Sequence, residues 1–199
     1  EQIELCLEHM KQLVLAGGAT KEGIVEVSAF LVPIERQSLV RQHVKKFLGF
    51  MPPLFHVQAV SDVAMHAMLE MDGIAIADPQ LAKAQAVNIL RPFGKEQGLV
   101  CSGPFVMING LTAPGENLGE QTTNLLIAAE RQLREVGSAL SDLIKMTVYI
   151  ADYDAYPQFN EATKRAFATF IPPTRSVLVA PKVTGDSLLR VDLLALAGV

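Results

Sequence analysis

The sequence contains no tryptophan and only two cysteines among its 199 residues, and aromatic residues make up 6% of it. Cys6 and Cys101 lie far apart and inside apolar segments. That spacing excludes a disulfide framework and leads us to expect thiols in a reducing compartment, the cytoplasm. Charge is scarce as well: 19% of residues are Asp, Glu, Lys or Arg, against roughly 25% in ordinary soluble domains. The net charge of -4 comes without a basic block, tail or stripe, so no nucleic-acid partner is expected. No apolar run reaches the roughly 18 residues of a membrane-spanning helix, so no membrane partner is expected either.

Catalytic motifs are missing too. There is no GxGxxG or GxxxxGK[ST] phosphate loop and no GxSxG nucleophile elbow. The four histidines, His9, His43, His56 and His66, all fall in the first half, with no HxH or HxxxH spacing. No metal site is expected from them, and Cys101-Ser102 has no histidine in its own half to act as a base. What the chain does have is apolar residues, 50% of the total, and a mean hydropathy of +0.28. An apolar excess of this kind points to a surface covered by another subunit.

The chain also aligns with itself. EQIELCLEHMKQLVLAGGATKEGIVEVSAFLV (1–32) matches EQTTNLLIAAERQLREVGSALSDLIKMTVYIA (120–151), with Gly18 on Gly137. One residue's slip later, PPLFHVQAV (52–60) meets PPTRSVLVA (172–180), and MDGIAIA (71–77) meets VDLLALA (191–197). A period of about 120 residues indicates a duplicated domain rather than a solenoid. Each copy predicts a helix, a strand, a second helix and two strands. In the second copy Leu125, Leu126, Ala129, Leu133 and Val136 carry the helical period, with Gly137 as the stop. A strand follows over 143–151, then a helix containing Phe159, Ala162, Ala166, Phe167 and Phe170, ended by Pro172-Pro173. The closing strands are expected at about 174–180 and 188–197, joined by a turn at 184–186. GLVCSG and FVMING supply a leading hairpin that the first copy lacks. The expected division is 1–80 and 81–199.

Arg175 opens the stretch RSVLVA, which reads as a buried strand. A buried arginine needs a partner, and its planar fork suits a carboxylate through two parallel hydrogen bonds. Asp192, flanked by Val191 and Leu193, is the obvious internal candidate, so a purely structural pair stays open beside a ligand.

The segments SGPF, GLTAPGENLGEQ, KMTVYIADY, QFNEA, PPTRS and VDLLALA together resemble the Rid family. These are the reactive-intermediate imine and enamine deaminases, also known as L-PSP or YjgF-like proteins. The resemblance is good over about 99–198 and looser over 1–77. It implies an α+β fold of two tandem chorismate-mutase-like units, each a mixed sheet with helices on one face, the first lacking its N-terminal hairpin. It also implies self-association, as a trimer or a pseudo-trimeric higher oligomer, with ligand clefts between neighbours. The implied activity is metal-free, cofactor-free hydrolysis of 2-imino or 2-enamino acids to 2-oxo acids and ammonia. Arg175 would bind the carboxylate of a small metabolite, and Asp192, where the family has a glutamate, would orient the water. Asn160 and Ser102 would line the same pocket, and Phe93 would stand where the family often has a tyrosine. Val177 replaces a frequent cysteine. In the first copy Phe55 stands in the arginine's place, so that half is expected to be a scaffold. The alternative is a non-catalytic carboxylate-binding or scaffold module of the same fold. Ribonuclease chemistry, the family's older label, lacks both a histidine pair near the cleft and a basic groove.

Overall fold

The computed structural model describes residues 1–78, 80–81, 85–86, 98–180, 183 and 186–197; at 85, 86, 98 and 100 it describes the backbone alone. The chain divides into two compact units, Glu1–Ala86 and Val87–Val199.

The first unit runs α1 (Gln2–Ala16), β1 (Ile24–Leu31), α2 (Gln37–Leu48), β2 (Leu54–Ala59) and β3 (Leu69–Ala75), and then a two-residue strand, β4 (Gln85–Ala86). Three strands form a sheet in the order β2-β1-β3, with β2 parallel and β3 antiparallel to β1. Val27, Ala29 and Leu31 of β1 meet Leu7 of α1 and Val40, Val44 and Leu48 of α2 in one core. Period two in the strand and period four in the helix turn these residues to the same layer.

The second unit contains β5 (Gly98–Ser102), β6 (Phe105–Leu111), α3 (Leu118–Glu135), β7 (Leu143–Ile150), α4 (Tyr156–Ala166), β8 (Thr174–Val179) and β9 (Leu189–Leu196). Its strands lie in the order β5-β6-β9-β7-β8, with β8 parallel to β7 and the other pairs antiparallel. From α3 onward its element order and strand directions are those of the first unit. Asn117 caps α3 by accepting from the Glu120 amide at 3.0 Å. Gly137, at φ +78°, lets the chain turn out of the helix where a Cβ would be strained. Leu125, Ala129 and Leu133 of α3 and Phe159 of α4 pack on Met146, Val148, Val191 and Leu193.

Two expectations are corrected. The helix of α4 closes at Ala166, because the chain turns at Phe167 well before Pro172. The strand expected to be buried, β8, is mostly exposed, because it forms an edge of the sheet and only Val177 packs partly on the core. The turn expected at 184–186 falls largely outside the described residues. Among the described residues no helix is long and apolar enough to cross a membrane.

Candidate functional site

Arg175 stands opposite Met146 of β7, which in turn stands opposite Leu193 of β9. Both neighbours are core residues beneath the helices, so strand alternation turns Arg175 toward α4. There its Nη1 donates to Thr163 Oγ1 at 2.8 Å. Both terminal nitrogens lie 3.5 Å from Asn160 Oδ1, and the guanidinium carbon lies 6.0 Å from the centroid of Phe159. Phe159 is completely buried and packs against Tyr156, one turn earlier in α4, with ring centroids 5.9 Å apart. Arg175 itself is exposed, and no carboxylate pairs with it among the described residues. One strong bond to Thr163 fixes the guanidinium, while the long contacts to Asn160 leave donors able to form shorter, charge-assisted bonds to an incoming anion.

Asp192 is on the other side of the sheet. It stands opposite Thr147, one position out of step with the Met146–Leu193 row that carries Arg175. The expected Arg175–Asp192 pair is therefore excluded within one unit. Asp192 pairs instead with Arg190, two residues earlier on the same face of β9. Arg190 Nη2 lies 3.1 Å from Oδ1 and 3.3 Å from Oδ2. The Gly110 amide donates to Oδ1 at 2.7 Å. That amide is aimed by a bulge: β6 spends three residues from Ile108 to Leu111 while β9 spends two from Leu193 to Val191. Gly110 adopts φ +73° within it, a conformation suited to glycine. Arg190 is 1% exposed and its guanidinium carbon lies 5.2 Å from the Tyr149 ring.

Ser102 ends β5 and is buried. It pairs with Phe105, whose row continues to Leu196 of β9, on the Asp192 side of the sheet. Within one unit it therefore lies on the face away from Arg175, the face that carries Asp192. Phe93 lies outside the described residues. Of the expected residues, Arg175 and Asn160 are brought together. Thr163 and Arg190 were missed, although alternation in RVD already puts 190 and 192 on one face. Thr163 follows Asn160 by three residues and so shares its helix face. Among the described residues no group of three or more His, Cys, Asp or Glu side chains could hold a metal. Both cysteines are free. Burial pushes the Cys101 thiol up from its ordinary pKa; burial and then the charge of Glu70 do the same for Cys6.

The family model for Endoribonuclease L-PSP matches residues 93–197, more than half of the chain. The chain belongs to the L-PSP family. Among its L-PSP relatives is the mitochondrial protein mmf1 of Schizosaccharomyces pombe, 28% identical over 128 residues, which are 61% of this chain and 74% of that protein. A RutC family protein of Pyrococcus horikoshii is 26% identical over 116 residues, 54% of this chain and 91% of that one. The fold is shared with a solved member of the YjgF/YER057c/UK114 family from Mycobacterium tuberculosis. That match has a TM-score of 0.51 at 22% identity and covers 57% of this chain and 99% of the other. The L-PSP match spans Asn160, Arg175 and Asp192 alike.

Proposed function

We propose that this L-PSP protein hydrolyses 2-imino or 2-enamino acids to 2-oxo acids and ammonia. The observation that carries the reading is Arg175: a cation on an exposed edge, steadied by Thr163 and Asn160, with its fork unclaimed by any carboxylate among the described residues. The substrate carboxylate docks on that fork. Water adds to the C=N carbon, and the tetrahedral intermediate expels ammonia as the C=O bond forms. Imines react readily with water, so fixed orientation and modest electrostatic help are enough for acceleration.

Asp192 is the proposed water-orienting group. Because it faces away from Arg175 within a unit, the proposed site takes Arg175 from one copy and Asp192 from a neighbour in a self-associated, trimer-like assembly. The unit Glu1–Ala86, with the same strand order and directions as the second from α3 onward, is proposed to descend from the same fold. A reducing compartment such as the cytoplasm suits two free thiols.

A second reading has one observation in its favour. Asp192 is already gripped by Arg190 and the Gly110 amide, which fits a binding module whose aspartate is structural. Turnover separates the two. Imino acids generated by an amino-acid oxidase are supplied to the protein, and 2-oxo acid release is followed above the buffer rate. The Arg175→Ala variant is expected to lose about 10- to 100-fold in kcat/KM, the worth of one or two charge-assisted hydrogen bonds. Its folding should be unaffected, because the side chain is exposed. No acceleration by the wild type with any side-chain class would leave the binding-module reading.

A further inference from the structure

The first unit carries an arginine in the matching place, delivered from the opposite element. Phe55 of β2 stands opposite Val27, one step before the Ser28–Asp72 row. Arg175 of β8 stands opposite Met146, one step before the Thr147–Asp192 row. Phe55 thus holds the strand position that Arg175 holds in the second unit. On the helix, Val40, Val44 and Leu48 are the buried row of α2, as Phe159, Thr163 and Phe167 are the buried row beginning in α4. Arg41 follows Val40 just as Asn160 follows Phe159. So where the second unit has arginine on the strand and asparagine on the helix, the first has phenylalanine on the strand and arginine on the helix. The guanidinium has changed sides without leaving the place.

We infer that Arg41 makes a second small-carboxylate site in the first unit, beyond the proposed deaminase site and independent of it. The guanidinium carbon of Arg41 lies 4.8 Å from the Phe55 ring centroid. A guanidinium held over a ring face is restrained in position while its N–H groups stay able to reach a carboxylate through two bonds. Among the described residues Arg41 makes no hydrogen bond or ion pair. Lys45, one turn later on the same helix face, is exposed and likewise without an ion pair. Like charges four residues apart oppose each other, and an anion between them removes the repulsion. Helix α2 holds Arg41, His43, Lys45 and Lys46 and no acidic residue, in a chain of net charge -4. The nearby carboxylate of Glu4 faces His43, at 3.8 Å. This site binds; the first unit's Asp72, at the place of Asp192, faces the other side of its sheet from Phe55.

The test is a titration of the full ¹⁵N-labelled chain with sodium pyruvate, read at the arginine Nε–H resonances. Sodium chloride at matched ionic strength and the uncharged methyl pyruvate serve as controls. Arg41→Lys and Arg175→Lys variants assign the two signals. The expected result is a saturable shift of the Arg41 signal with pyruvate alone, persisting in Arg175→Ala. Backbone amides of residues 54–57 should follow the same isotherm, about tenfold weaker in Arg41→Lys, because lysine lacks the fork. An Arg41 signal that stays still, that moves equally with chloride, or that stops moving in Arg175→Ala overturns the site. The same spectra report on Arg175 separately: movement there with a still Arg41 overturns only this site. The reverse removes the ligand role of Arg175 and leaves this site standing.

Discussion

Replacing Arg190 by methionine is expected to cost about 3–5 kcal/mol of folding stability. The aspartate it serves is 8% exposed, so water replaces a lost partner only in small part. Removing the guanidinium leaves a charge in the sheet face that still accepts from the Gly110 amide at 2.7 Å but has lost its cation. The cost comes chiefly from that stranded charge rather than from the attraction between the pair. The double variant Arg190→Met, Asp192→Leu should therefore regain most of the loss, since two apolar residues can fill the same space without a desolvation debt. Urea unfolding at fixed protein concentration measures both. A single-variant loss below about 1 kcal/mol would mean that the pair behaves as a solvated surface contact.

The second large effect is expected at Phe159. Its ring is completely buried and lies against the core of α3, β7 and β9 while carrying Arg175 on its outer side. Phe159→Ala should cost about 3–5 kcal/mol, the transfer of the ring plus the cavity it leaves. It should also raise KM for any carboxylate substrate, because the arginine loses the surface that limits its motion. Phe159→Leu keeps much of the volume and should cost less than half as much. Equal stability losses in the two variants would show that the site collapses freely and that ring shape is not what positions Arg175.

Much of this fold is legible in the sequence. Leucine and alanine spacing marks α3, Gly137 marks its end, and the Lys145–Ile150 alternation marks β7. The expected order of helix, strand, helix and two strands is the order found in both halves. The face of the sheet on which each functional residue lands was harder to read. Arg175 and Asp192 sit on strands separated by β7, so their relation depends on register across two ladders, and one step of register exchanges faces. The need of buried charges for partners suggests a pair; alternation separates them. Ser102 falls on the Asp192 face by the same parity rule, through the tight Ser102–Phe105 pairing. The partner of Asp192 was within reach, because Arg190 is two residues away on the same strand. The bulge that aims Gly110 is marked only by that glycine inside the FVMING strand, and the direction of its amide follows from the ladder to β9 rather than from the sequence.

The claim that Arg175 and Asp192 act together across copies has a direct test. Arg175→Ala and Asp192→Asn chains, each weakly active alone, are mixed, dissociated and reassembled, and imino-acid hydrolysis is measured. Asparagine keeps the shape of Asp192 and an oxygen for Gly110 and Arg190 but leaves the buried Arg190 charge unbalanced, so the assembly of this variant is checked by size before activity is read. A site shared between copies predicts that mixed assemblies recover a substantial fraction of wild-type activity, because some interfaces receive both intact residues. Activity in the mixture no greater than the average of the two variants would contradict the account.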